Sequence, residues 1–185
     1  MILLALTAMM PWVLSGCNTT GCSDNHSALP LMGFYASPSG EELTLDSLDI
    51  GGVGAPDDSL LIRSGNSVRQ VYLPFRFEQD KTSFFIHYDY PEQGLDDPAM
   101  NDTITFRYTS EPFFASEECG AMYRYTVRQV EYTTHLIDSV AVTDSVVTNI
   151  ERERFQVFIR TTEPPEPEAE ETRRLSLKPG RGGNL

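Results

Sequence analysis

Between residues 31 and 161 the chain repeatedly alternates apolar and polar side chains with a period of two, a pattern that suits strands and cannot line one face of a helix. In 103–109, Ile104, Phe106 and Tyr108 fall on one face, and Thr103, Thr105 and Arg107 on the other. In 83–90, Phe84, Ile86 and Tyr88 oppose Phe85, His87 and Asp89, and in 152–160, Phe155, Val157 and Ile159 oppose Arg154, Gln156 and Phe158. The same composition of β-branched and aromatic residues predicts strands at 32–36, 43–50, 59–63, 68–75, 83–90, 103–109, 121–133, 135–142 and 152–161. Breakers separate them: Gly51-Gly52-Val53-Gly54-Ala55-Pro56, Ser64-Gly65-Asn66, Pro91-Glu92-Gln93-Gly94 and Pro98-Ala99-Met100-Asn101. Apolar spacing of three and four does not persist over a helix length. An all-β fold follows, expected as an antiparallel β-sandwich, with a small closed β-barrel as the alternative.

With 185 residues, 40% of them hydrophobic, the chain suits one domain. Lys+Arg 14 against Asp+Glu 27 leaves a net charge of −13, which repels polyanions and makes nucleic acid a poor partner. From Thr162 the composition changes to an acidic, proline-rich run, Glu163-Pro164-Pro165-Glu166-Pro167-Glu168, followed by a basic, glycine-containing end. That stretch lacks the apolar content to offset the entropy of ordering, and 162–185 is expected to be a disordered tail.

Residues 2–14 carry no charge and only Thr7 as a conventional polar side chain. The run is shorter than the roughly 20 residues a transmembrane helix needs and has the length of a signal-peptide core. It leads into Leu14-Ser15-Gly16-Cys17, which resembles the lipobox of a bacterial lipoprotein. The resemblance implies a signal peptide over 1–16, cleavage before Cys17, and acylation of the Cys17 thiol, so that a tether over 17–30 holds a β domain over 31–161 at a membrane. Two or three acyl chains anchor stably where one does not. The alternative is an ordinary secretory signal with an incidental cysteine, and the usual Lys or Arg ahead of the apolar run is missing. Asn18-Thr19-Thr20-Gly21 places no acid behind Cys17 before Asp24, which favours an outer-membrane lipoprotein facing the periplasm over a surface-exposed one.

With Cys17 assigned to lipid, Cys22 and Cys119 remain as a pair in an oxidising compartment. A bridge between them would close a long loop and stabilise by about 4–5 kcal/mol on chain-entropy grounds; two free buried thiols are the alternative. The spacing is not C-x-x-C and suggests no thiol-redox activity.

The segment Ser110-Glu111-Pro112-Phe113-Phe114-Ala115-Ser116-Glu117-Glu118-Cys119-Gly120-Ala121-Met122-Tyr123-Arg124-Tyr125 is distinctive. So are Cys22-Ser23-Asp24-Asn25, Gly33-Phe34-Tyr35 and Thr133-Thr134-His135-Leu136-Ile137-Asp138-Ser139. Together they resemble a family of uncharacterised lipoproteins of Bacteroidota, classed as a domain of unknown function. The resemblance runs from the lipobox to Arg160 and implies a cell-envelope lipoprotein, with no catalytic residue or cofactor to carry over.

Glu117 and Glu118 beside Cys119 are the candidates for carboxylate or metal chemistry, set against a bridged cysteine, a tight turn at Gly120 and two solvated acids. No second ligand cluster with recognisable spacing accompanies them, and no cofactor or metal site is expected. His26, His87 and His135 are scattered, and His87 reads as a strand residue. Phe113 and Phe114, with Glu117 and Glu118 nearby, form the candidate interaction surface, because paired phenylalanines put one ring on each face of a strand. Asp followed by Ser or Thr and an aliphatic residue recurs at Asp46, Asp58, Asp102, Asp138 and Asp144. The pattern resembles an O-glycosylation acceptor, with Thr103 the candidate site, and is otherwise turn chemistry ahead of strands. The function expected is a lipid-anchored binding or accessory module with an envelope protein partner. The alternatives are a lipocalin-like carrier of an apolar molecule and a carboxylate- or metal-dependent enzyme.

Overall fold

The computed structural model describes residues 27–56, 59–89 and 97–161. Alternating sequence becomes ten strands among them: β1 (Leu31–Ser37), β2 (Leu48–Gly52), β3 (Leu60–Gly65), β4 (Gln70–Tyr72), β5 (Lys81–Tyr88), β6 (Asp102–Ser116), β7 (Gly120–Tyr132), β8 (Ile137–Val142), β9 (Val146–Val147) and β10 (Glu153–Arg160). They build a four-stranded sheet ordered β4-β1-β10-β8 and a six-stranded sheet ordered β3-β2-β5-β6-β7-β9. The fold is the all-β sandwich that the alternation predicts, two separate sheets and not a closed barrel. One pairing departs from the antiparallel expectation: β1 and β10 run parallel, Phe34 opposite Val157. β1 opens the domain and β10 closes it, so the rest of the fold is their connection. A parallel pair demands such a long crossover, which a hairpin cannot supply.

The faces follow the alternation. Phe84, Ile86 and Tyr88 of β5 and Ile104, Phe106 and Tyr108 of β6 are buried, as are Phe155, Val157 and Ile159 of β10. Phe106 meets Phe155 across the sandwich with ring centroids 4.5 Å apart. Phe75, from the β4–β5 connection, enters between the sheets, stacks on Tyr108 at 4.5 Å and reaches Phe155 at 6.3 Å. Aromatic rings therefore fill the interior, each buried ring contributing about 1.5–3 kcal/mol through its apolar area alone.

Several boundaries differ from the sequence reading. β4 keeps three residues of the predicted 68–75, ending ahead of Pro74, which has no N–H to give a ladder. The predicted 43–50 strand is interrupted where Ser47 takes φ +49° and the Asp46 carboxylate accepts from the Ser67 N–H, so β2 begins at Leu48. β6 runs seven residues past Thr109, through Pro112, because it remains paired to β7 after β5 has ended opposite Arg107. β9, two valines that close the edge against Tyr125 and Thr126, gave no pattern long enough to read.

One buried carboxylate holds the path between the sheets. Asp102, fully buried at the start of β6, accepts from the Thr133 hydroxyl (2.7 Å) and the His135 N–H (2.9 Å) at Oδ1. Its Oδ2 accepts from Leu136 N–H (2.8 Å), Ile137 N–H (3.0 Å) and the Tyr88 hydroxyl (3.1 Å). All of these donors except Tyr88, the last residue of β5, lie where the chain leaves β7 of one sheet to enter β8 of the other. At the opposite end Arg154, 2% exposed, donates to Asp144 and to the Ile150 carbonyl (3.0 Å), fixing the excursion through β9. Burial lowers the Arg154 pKa, and the Asp144 carboxylate opposes that shift.

Each buried donor left without an acceptor costs about 1–3 kcal/mol. Asp102→Ala strands at least the Leu136, Ile137 and Tyr88 donors and should lower the unfolding free energy by about 3 kcal/mol or more in denaturant titration; a loss below about 1 kcal/mol would contradict the role. Burial, then the charge of Asp102, raises the Tyr88 pKa above its ordinary value. A raised folded-state pKa means that its stabilisation is complete below the unfolded value of about 10 and is lost as pH rises beyond it, by up to about 1.4 kcal/mol per pH unit. Unfolding free energies compared at pH 9 and 11 should fall accordingly, and Tyr88→Phe should flatten that slope.

Candidate functional site

The outer face of the six-stranded sheet carries the polar half of each strand's alternation, yet one part of it is apolar. Gly51 of β2 stands opposite Phe85 of β5, and Phe85 stands opposite Thr103 of β6. Because Gly51 has no side chain, the Phe85 ring lies across it: a Cβ built on Gly51 would sit 2.6 Å from Phe85 Cζ and 2.9 Å from Leu60 Cδ2. Phe85 and Leu60 thus form the floor of an open groove of about 660 Å³, walled on one side by Val53 and Gly54 of the β2–β3 connection.

A polar row borders that floor. Register places Asp49 opposite His87, and Asn101 lies at the start of β6 beyond it. The Asn101 side-chain oxygen accepts from His87 Nδ1 at 2.8 Å, the tautomer in which Nδ1 carries the hydrogen and Nε2 has the acceptor lone pair. Asp49 Oδ1 accepts from the Ser64 N–H at 2.5 Å, which holds the carboxylate in place with its second oxygen available. Arg63 of β3 completes the rim and makes no ion pair among the described residues. Two acceptors, one amide and one guanidinium converge on an aromatic floor, the arrangement typical of small-molecule sites.

The residues singled out in the sequence lie elsewhere. Beyond Ser110 the β6–β7 hairpin is a two-stranded arm, closed at Ser116 opposite Gly120, which takes φ +72° in the turn. Its pairing puts Glu111 with Arg124 and Phe113 with Met122 on one face, and Pro112 with Tyr123 and Phe114 with Ala121 on the other. Phe113 and Phe114 therefore point to opposite faces; Phe114 is 67% exposed, whereas Phe113 is half-buried. Phe77 stacks on Tyr123 at 4.4 Å at the root of the arm. Arg124 at 2.8 Å holds the Glu111 carboxyl below its usual pKa range. Glu117 and Glu118 are exposed on the turn, and Cys119 beside them is partly buried. No group of three or more His, Cys, Asp or Glu side chains converges among the described residues.

Cys17, Cys22, His26 and the tail from Thr162 lie outside the described residues. Thr103 is half-buried within β6, its backbone N–H bonded to the Thr133 hydroxyl at 2.8 Å. Four of the aspartates that precede such Ser and Thr residues are engaged by hydrogen bonds, Asp46 with Ser67, Asp102 as described, Asp138 with the Ser37 hydroxyl, and Asp144 with the Val146 N–H, and Asp58 lies outside the described residues. His135 Nδ1 donates to the Asn101 carbonyl at 3.0 Å. The groove itself was missed because Gly51-Gly52 reads as a breaker and His87 as an ordinary strand position. The available signal was Phe85 and His87 on one strand face, the face that alternation turns away from the core.

Residues 47–159 match the model of a family of unknown function, DUF6452, and the chain belongs to that family. No match was found among curated proteins or among solved structures.

Replacing Gly51 with valine places methyl groups where the tip of the Phe85 ring now lies, and the ring must move away from that position. The expected result is a loss of about 1–3 kcal/mol in unfolding free energy, with disappearance of the nuclear Overhauser contacts between Phe85 and Leu60. Unchanged stability with those contacts intact would show that the ring does not need the bare glycine.

Proposed function

We propose that this member of the DUF6452 family is a lipid-anchored binding module of the bacterial cell envelope, an outer-membrane lipoprotein of Bacteroidota facing the periplasm. Cys17 is the lipidated residue, Cys22 and Cys119 form the staple, and the outer groove over Phe85 is the binding site. The single observation that carries the binding role is the groove itself, an apolar floor ringed by Asp49, Arg63, His87 and Asn101. A carrier role with the ligand between the sheets draws no support from an interior occupied by Phe75, Phe106 and Phe155.

The path of the N-terminus supports the staple. Leu73 N–H donates to the Pro30 carbonyl at 3.0 Å, so the chain enters β1 alongside the segment that carries Phe75 and Phe77. That segment packs on the hairpin at Tyr125 and Tyr123, and the same hairpin carries Cys119 at its turn. A bridge at the turn would hold an arm that has lost β5 as a neighbour, and a two-stranded ribbon alone is only marginally stable in water.

Intact mass spectrometry of protein extracted from its host's membranes tests the assignment. The expected mass lacks residues 1–16, carries a diacylglyceryl group and one amide-linked acyl chain, and is two hydrogens short of the reduced form. A Cys17→Ala variant should be released from the membrane fraction. An unlipidated mass, or a variant that stays membrane-bound, would overturn the anchor; a fully reduced mass under non-reducing conditions would overturn the staple.

A further inference from the structure

We propose that the groove takes a neutral saccharide, its ring C–H face laid on Phe85 and its hydroxyls shared among Asp49, Arg63, His87 and Asn101; this rests on the groove being the binding site. The floor is the Phe85 ring, whose tip lies over Gly51 where a side chain would otherwise stand, and it lines an open groove and not a closed cavity. The face of an aromatic ring is its negative side and attracts weakly polarised C–H groups, which a sugar presents on one face of its ring.

The rim then selects among ligands that could lie on such a ring. His87 Nε2 and the second oxygen of Asp49 accept, whereas the Asn101 amide and the Arg63 guanidinium donate. An anion would meet the Asp49 carboxylate, and a cation would meet Arg63. A wholly apolar ligand would cover polar groups without replacing their hydrogen bonds to water, at about 1–3 kcal/mol for each one left buried and unpaired. A hydroxyl donates and accepts at once, so a row of ring hydroxyls can pair with donors and acceptors that alternate around the floor. The groove's volume of about 660 Å³ lies within the range of about 300–1,000 Å³ of small-ligand sites.

Saturation-transfer-difference NMR on the full chain in phosphatidylcholine nanodiscs tests this, using the methyl glycosides of glucose, galactose, mannose and N-acetylglucosamine at millimolar concentration, with 2-naphthol as a planar apolar probe. At least one glycoside should be saturated, most strongly at the ring protons of one face. Phe85→Ala should abolish the effect and Phe85→Tyr should keep it, while Asn101→Ala should weaken binding about tenfold, which is about 1.4 kcal/mol. The thermal midpoint of each variant identifies any loss caused by unfolding, and Phe85→Tyr, which preserves the ring, keeps the outcome readable if Phe85→Ala is unstable. Saturation of 2-naphthol alone, dependent on Phe85, would overturn the saccharide assignment and leave the groove a binding site. Saturation of no probe would overturn both, and glycoside binding indifferent to Phe85 and Asn101 would place the site elsewhere.

Discussion

Two sheets that belong to one sandwich must be joined by chain that crosses between them, and here the crossing from β7 to β8 is organised by a single buried carboxylate. Asp102 gathers three backbone N–H groups from 135–137 and hydroxyls from Thr133 and Tyr88 around its two oxygens. Three consecutive N–H groups converging on one acceptor define a sharp change of direction, and a neutral side chain could not accept all of them. Since Asp102 also opens β6, the central pairing of the larger sheet and the crossing to the smaller one are set at the same residue. Arg154 does the reverse beside the excursion through β9, a buried cation that gathers the Asp144 carboxylate and a backbone oxygen. Among the described residues the buried charged groups, Asp102 and Arg154, thus sit near places where the chain changes sheets, and the strand interiors are left largely to apolar contact.

The interior is taken up by rings, and the two sheets present different outer surfaces. The outer face of the smaller sheet is committed to its own contacts: Glu153 accepts from Tyr35 and Gln70, and Glu151 accepts from Tyr72. The larger sheet carries instead a glycine where a side chain would otherwise stand, and the tip of the Phe85 ring on the next strand occupies that space. Two of the groove's polar groups are held by bonds to the fold, Asp49 by Ser64 and His87 by Asn101, which would order them ahead of the proposed ligand.

How far the strands could be read depended on whether their pattern was local. Phe84 through Tyr88 and Ile104 through Tyr108 alternate over enough residues to reveal both strand and inward face. β9 has two residues and exists because Tyr125 and Thr126 offer an edge, and the parallel pairing of β1 with β10 joins residues at opposite ends of the domain. Asp102 illustrates the same limit in a side chain: Asp-Thr-Ile reads as turn chemistry or as an acceptor motif, and only the arrival of 133–137 makes it a buried hub. The groove was hidden likewise, since a glycine pair reads as a break in a strand until its neighbour proves to be Phe85.

The amino-acid order alone determined the strand character of the chain, the assignment of Phe84, Ile104 and Phe155 to an interior, and the all-β class, because period-two alternation acts through nearest neighbours. It also carried Leu14-Ser15-Gly16-Cys17, which resembles a lipobox, and the cysteine pattern on which the proposed envelope role stands. Tertiary structure decided which strands meet, which of two adjacent phenylalanines faces solvent, and which of the many acids is buried. Those outcomes depend on contacts between residues far apart in the chain, where a carboxylate finds its donors or a ring finds a bare glycine, and no local pattern encodes such a meeting.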